Sequence, residues 1–477
     1  MLHAKKTIAC LLAGLSLNLA QAQGPQAPAL PKPISWYMEH APFPMPPVEL
    51  PQFPARDFRL TDYGATGDGQ SLTTMAFRRA IKACADAGGG HVVVPAGRWL
   101  TGPIELLSHV DLHLESGALI QFTRDHTQYP PNGEKGSSLT PPIYSHGQED
   151  IAITGEGILD GAGDSWRPVK REKMTDTQWR DLLASGGVLS ADGKIWWPNQ
   201  EEMNDDHLRP FMVALADCRR ILIRGVTLRN SPKFVFCPSH CSDLTLDHAH
   251  IFNEWWAQNG DGMDISACKR VIIYGCTVSA GDDGICMKSS GADPTGPALQ
   301  DVIVAGCTVY RAHGGFVIGS NTDGGMHDIF VSDCVFAGTD VGLRFKSNMG
   351  RGGLVDSIFI QDIVMQKIVR EAVLFDTYYQ DVPAGATRRT ETPTDKTPVF
   401  RDFYISRIDC QGAATAISIT GLPQMPITGI SFDSVTIRAT RGLVATQARN
   451  IRLHEVKLDV AEKPVFQTDR TAEIRMN

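Results

Sequence analysis

From Val92 onward the apolar positions fall in short alternating triplets, not in helical stripes. Triplets begin at Ile221, Leu244, Val271, Val302, Ile329, Ile358, Phe403, Ile430 and Ile451, with weaker copies at Val110 and Ile151. After each comes a turn, a small residue or cysteine, and a second apolar pair. The theme recurs every 21–45 residues or so, with no helical period between copies, which is the mark of a strand-built repeat. A triplet of this kind buries its side chains only by stacking on the next copy. The pattern therefore predicts an all-β chain wound as a single-stranded, right-handed parallel β-helix. One helix is expected, over Ser71–Ala87. Phe77, Ala80, Ile81 and Cys84 follow the i, i+3, i+4, i+7 spacing, and Gly88-Gly89-Gly90 ends it. It is placed to cap the N-terminal end of the solenoid.

A length of 477 residues would by itself suggest about three domains, but the repeat replaces them with one solenoid over residues 57–477. Ahead of it, Gln23–Arg56 carries prolines at 25, 28, 31, 33, 42, 44, 46, 47, 51 and 54, so neither a helix nor a central strand is expected there. This leader reads as an extended strap on the surface. Met1–Ala22 reads as a secretory signal, with Lys5 and Lys6, the apolar run Ile8–Leu17, and the small-residue site Ala20-Gln21-Ala22. Export follows, to the periplasm or outside the cell. Two polar insertions break the period, at 162–209 and 381–396. The first holds Trp166, Trp179, Trp196 and Trp197, whose rings either stack on sugars or pin the insertion to the coil.

Hydrophobic residues at 42% and charged residues at 21% fit a folded globular chain, not a disordered one. The net charge of −8 excludes non-specific nucleic-acid binding and a polybasic membrane surface. A monomer is expected. Of eleven cysteines, Cys10 lies in the signal. Cys276, Cys307, Cys334 and Cys410 follow strand segments at similar offsets and read as a stack of small buried side chains. Cys237 and Cys241 offer a local disulfide or, with His240, metal-ligand atoms, but no second pair sits at zinc spacing. No metal and no cofactor is expected.

The repeat also aligns polar residues. Asp282, His313 and Asp340 lie eleven residues past the starts of their triplets, Asp283 twelve, and Glu371 thirteen. Lys288 and Lys346 lie seventeen past, and Arg344 fifteen. Asp261 and Asn259 fall close to one turn below Asp282. Equal offsets stack about 4.8 Å apart, so one wall should gather carboxylates, a histidine and cations. Such a set suits glycoside hydrolysis: a neutral acid protonates the leaving oxygen while an ionised carboxylate activates water. The cations suit an anionic sugar. Each element alone has a plainer reading, as a turn or a solvated face; their coincidence in one column carries the argument.

At these residues the sequence resembles glycoside hydrolase family 28, the polygalacturonases and their relatives. The carriers are Asn259-Gly260-Asp261-Gly262-Met263-Asp264, Gly281-Asp282-Asp283, Ala312-His313-Gly314 and Arg344-Phe345-Lys346, with Asp57–Gly69 similar to the opening of β-helical pectin-degrading enzymes. The resemblance implies an inverting, metal-free hydrolase of α-1,4-linked galacturonate in pectic polysaccharide. It implies Asp282 as general acid, Asp261 and Asp283 as activators of water, and His313 as support for the acid. It implies Arg344 and Lys346 as binders of the substrate carboxylate, with Asn259 and Lys288 as further substrate-binding residues. Gly260, Ala312 and Phe345 depart from the family pattern at Thr, Gly and Ile, and are expected to point inward or serve turns. They leave rhamnogalacturonan or xylogalacturonan open as the substrate, and the insertions, if they close the cleft, favour exo action. Two other readings stand beside this one: a Ca²⁺-dependent pectate lyase on the same coil, and a non-catalytic carbohydrate-binding β-helix.

Overall fold

The computed structural model describes residues 32–132, 138–291, 293–379 and 392–476. The signal reading, the first part of the leader, and residues 381–391 of the second insertion lie outside them. Thirty-three strands between Asp57 and Met476 pair in parallel as one coiled sheet, a parallel β-helix. Each coil contributes to three columns. The first runs through Ile143–His146, Val213–Ala216, Phe236–Ser239, Met263–Ser266, Asp283–Lys288, Gly314–Ile318, Val341–Lys346 and Glu371–Asp376. The second carries the triplets, and the third the apolar pairs that follow them.

The triplets pair in the register their spacing predicts. Ile151, Ile221, Leu244, Val271, Val302, Ile329, Ile358, Phe403 and Ile430 are successive Cα partners. First and third members, such as Val271 and Ile273, enter a single core running the length of the coil. The residue just before each triplet turns a corner in the left-handed region, as at Asp150, Arg220, Asp243, Arg270, Asp301, Asp328, Ser357 and Asp402. Aspartate and asparagine-like side chains tolerate that backbone by bonding locally. Cross-coil pairs such as Arg270 with Asp243 (2.7 Å) hold the corner.

The capping helix spans Thr74–Asp86, and Phe77, Ala80, Ile81 and Cys84 are buried as expected. It starts later than predicted because Asp68–Leu72 is already a strand paired with Gly97–Thr101. The strand after it begins at Gly90, two residues before Val92. The described part of the leader is a strap, with one departure: Ile34–Glu39 forms a short helix in the proline-free window between Pro33 and Pro42. Tyr37 and Phe43 cover Ile303, Ala305 and Phe330 on the outer face of the second column. The Tyr37 hydroxyl donates to Asp333 Oδ2 at 3.0 Å.

The ten cysteines in the described residues are all buried free thiols, so the local Cys237–Cys241 disulfide does not form. Those two stand in different columns: Cys237 faces Ala214 on the first, while Cys241 enters the core at the next corner. Cys276, Cys307 and Cys334 do stack, each just before or within the paired third-column strands. Cys410 does not join them. It pairs with Met365, two positions past the row of Cys334, Ile363 and Ile408.

Candidate active site

The corner from the third column to the first brings the polar residues together. Asp283, Gly314 and Val341 are successive Cα partners, so Asp282, His313 and Asp340 stack one residue earlier. Gly281 makes this corner possible: a Cβ there would lie 2.1 Å from the Ala257 carbonyl oxygen. Carboxylate oxygens of Asp261, Asp282 and Asp283 all lie within 4.8 Å of one another.

Their environments differ. Asp283 is 1% exposed. Its Oδ1 accepts from Arg344 Nη1 at 2.7 Å and its Oδ2 from Lys346 Nζ at 2.6 Å. Burial alone would raise this carboxyl, but Lys346 and Arg344 hold it well below the usual carboxylate range. Asp261 is 4% exposed, and its Oδ1 makes no hydrogen bond among the described residues. Burial, with the charges of Asp264 and Asp282, pushes it well up. Lys288 sits between them, 3.2 Å from Asp264 and 3.8 Å from Asp261. Asp282 is the most open of the three, its side chain 20% exposed. Burial would raise it too, but the His313 ring, with Nδ1 3.0 Å from Oδ1, lowers it. Burial and like charge thus raise Asp261 and Asp264, while cations and the His313 contact lower Asp283 and Asp282.

The same span of oxygens would suit a cation, but Arg344, Lys346 and Lys288 already face these acids. Of the other predicted residues, Asn259 turns the corner below Asp261 in the left-handed region, its Oδ1 accepting from Arg209 at 3.2 Å. Arg209 is itself buried and also holds the Gln258 carbonyl. Glu371 falls in the Asp283 row, beside Thr415, and its nearest cation is Arg370 at 3.6 Å. It makes no contact with the acids among those described.

The departures from the family pattern have local causes. A side chain at Gly260 would meet Ala257 and Asn253 at 2.8 Å, so no threonine fits. Ala312 and Phe345 enter the core, Phe345 packing on Phe375 at 4.5 Å.

Sequence reasoning missed three neighbours. Asp264 closes the Asn259–Asp264 motif, and no offset in the repeat marks it. Tyr379 lies 4.8 Å from Lys346 Nζ and 5.5 Å from the Arg344 guanidinium. Lys173 enters from the first insertion and donates to the Gly281 carbonyl at 2.9 Å. No repeat places the last two, so only the fold reveals them. The insertion itself is anchored, not open: Trp166 is 1% exposed and stacks on His126, and Trp196 and Trp197 are buried. Arg167 ties it to Asn230, Asn253 and Glu254. These tryptophans pin the insertion, while Trp255 beside Lys173 is the exposed ring near the acids. A cavity of ≈ 1120 Å³ lies between insertion and coil, reaching Glu254, Trp256 and Ala257 one turn below Asp282.

Comparison with known proteins agrees with this geometry. Residues 149–458 match the family described as Glycosyl hydrolases family 28. A probable polygalacturonase of Vitis vinifera is 27% identical over 394 residues, covering 80% of this chain and 74% of the relative. An exo-poly-alpha-D-galacturonosidase of Dickeya chrysanthemi is 27% identical, covering 76% of this chain and 64% of that protein. Among solved structures, a hyperthermoactive exopolygalacturonase from Thermotoga maritima superposes with a TM-score of 0.71 at 27% identity, over 86% of this chain and 94% of the other. The chain belongs to glycosyl hydrolase family 28 and is a glycoside hydrolase.

Proposed function

We propose that this family 28 chain hydrolyses α-1,4-linked galacturonate in pectic polysaccharide from the chain end, by direct displacement with water. The observation that carries the reading is one partly exposed acid, Asp282, flanked by two buried ones, Asp261 and Asp283, with cations on the same wall. Asp282 gives its proton to the leaving glycosidic oxygen. Water, oriented by Asp283, attacks the anomeric carbon as that bond breaks, and its proton passes to Asp261. His313 supports the acid's hydrogen bonding, and the proton taken from water returns to Asp282 as the products leave. The acid must carry its proton when the substrate is bound, and the negative charge of an anionic sugar beside Asp282 raises its proton affinity.

A covalent route is disfavoured. Asp283 has each oxygen held by a cation and is buried, so it lacks a free nucleophilic oxygen. The close spacing of the carboxylates is nearer to that of retaining enzymes than inverting ones, so stereochemistry is a direct check. Arg344 keeps Nε without a partner among the described residues, and with Lys346 it supplies the positive charge for the substrate carboxylate. Asn259 and Lys288 support the floor of the site from below. Exo action is supported by Lys173, which carries the insertion across to the Gly281 corner, and by the exo-acting names of the Dickeya and Thermotoga relatives. Action on a polysaccharide outside the cytoplasm fits the secretory signal read at Met1–Ala22.

The test is a time course on polygalacturonate, with rhamnogalacturonan and xylogalacturonan alongside, followed by proton NMR of the first product. The expected result is saturated monomer or a single short product from the outset, with the inverted anomer, unaffected by a chelator. A spread of oligomers would overturn exo action. Unsaturated products lost on chelation would mean a lyase, and saturable binding without new reducing ends would mean a non-catalytic β-helix.

A further inference from the structure

Lys173 lies outside every motif above and outside the repeat, yet its ammonium reaches the acid's partner. It is 8% exposed. Its Nζ lies 2.9 Å from the Gly281 carbonyl oxygen, 3.2 Å from the Trp255 carbonyl oxygen and 3.4 Å from His313 Nε2. An ammonium has three protons and no acceptor, so these three partners use all of them. We propose that Lys173 is a positioning residue that holds His313 as the neutral tautomer protonated on Nδ1, and through it aims the proton of Asp282.

Donors and acceptors fix the tautomer. A proton on His313 Nε2 would face the third ammonium proton, so Nε2 accepts and the ring proton sits on Nδ1. Nδ1 then donates to Asp282 Oδ1, 3.0 Å away. With Oδ1 occupied, the transferable proton of Asp282 sits on Oδ2, the oxygen left for the leaving group. Four charged or titratable groups bear on the ring. Asp282 lies on the coil below, and Asp283 follows it in the chain. Lys173 comes from the insertion. Asp340, on the coil above, has Oδ2 3.8 Å from Nε2, beyond hydrogen-bond distance. Without the ammonium, Asp340 is free to draw a proton onto Nε2. The resulting imidazolium pins Asp282 as the anion and withdraws the acid.

This rests on the acid–base reading of Asp282, and the test separates the two. The tautomer is read without turnover, from imidazole nitrogen shifts of ¹⁵N-labelled enzyme across the active pH range. Wild type is expected to show Nε2 unprotonated and Nδ1 protonated. Lys173→Met should gain Nε2 protonation at pH values where wild type has none. Lys173→Gln, which keeps an N–H donor for the carbonyls but no charge, guards against a simple loss of anchoring. Both should lower kcat about tenfold with KM within about twofold, and change the shape of the pH profile of kcat. Lys173→Arg should restore the wild-type tautomer. Wild-type His313 bearing a proton on Nε2, or variants with an unchanged tautomer and pH profile, would overturn the role of Lys173. An active Asp282→Asn variant with the tautomer as predicted would instead overturn the acid assignment alone.

Discussion

Asp261, Asp282 and Asp283 share one side chain and three fates, because the charges around each differ. Asp261 is raised in the folded protein by burial and by its acidic neighbours, so folding favours its protonated form. A group with a raised folded value contributes stability below the ordinary Asp range and loses it as pH rises through the raised value. Asp261→Asn should therefore stabilise the fold at neutral pH, while abolishing activity; the gain should vanish toward about pH 4. Urea unfolding at neutral and acid pH measures both. Asp283 behaves in the opposite way. Asp283→Ala leaves Arg344 and Lys346 buried without their carboxylate and should cost about 3–5 kcal/mol in the same assay. The eight site residues predicted from sequence gather at or beside this corner because they sit in the periodic part of the chain, where spacing fixes position. Lys173 and Tyr379 were not legible there: an insertion and a loop carry them, and no spacing relates those to the coil.

At the level of elements, the repeat was legible in detail, since a parallel strand shifted by one residue would turn its apolar set outward. The nine triplets from Ile151 to Ile430 pair as their spacing predicts. Local competition explains what differed. Asp68–Leu72 is taken by the sheet, which shortens the capping helix, and Pro33 followed by a proline-free stretch lets the leader form one short turn of helix. The strap offers an independent check. Tyr37 is fully buried against the second column and its hydroxyl is bonded to Asp333, so Tyr37→Ala should cost about 3 kcal/mol in denaturant titration. Activity of the folded variant should be unchanged, because the strap lies on another face from the acids. Gly281→Ala acts the other way. The Cβ would meet the Ala257 carbonyl, displace Asp282, and lower kcat about 100-fold even where the fold survives.

The whole molecule is a stack in which each coil contacts mainly its neighbours, so protection should fall from the middle to the ends. Amide exchange should be slowest over 263–376, where the first-column strands are buried, and fastest over 466–476, where the last strands are largely open. The net charge of −8 gives no long-range attraction for a polyanion, so recognition depends on the few cations at the acid wall. Catalysis likewise depends on coils far apart in sequence standing one above another. The most direct measurement of that claim is the initial rate of new reducing ends from polygalacturonate for wild type and Asp282→Asn, with matched circular dichroism. The account predicts a folded variant whose rate falls by about 10²–10⁴-fold. A folded Asp282→Asn protein cleaving within a few-fold of wild type would contradict it.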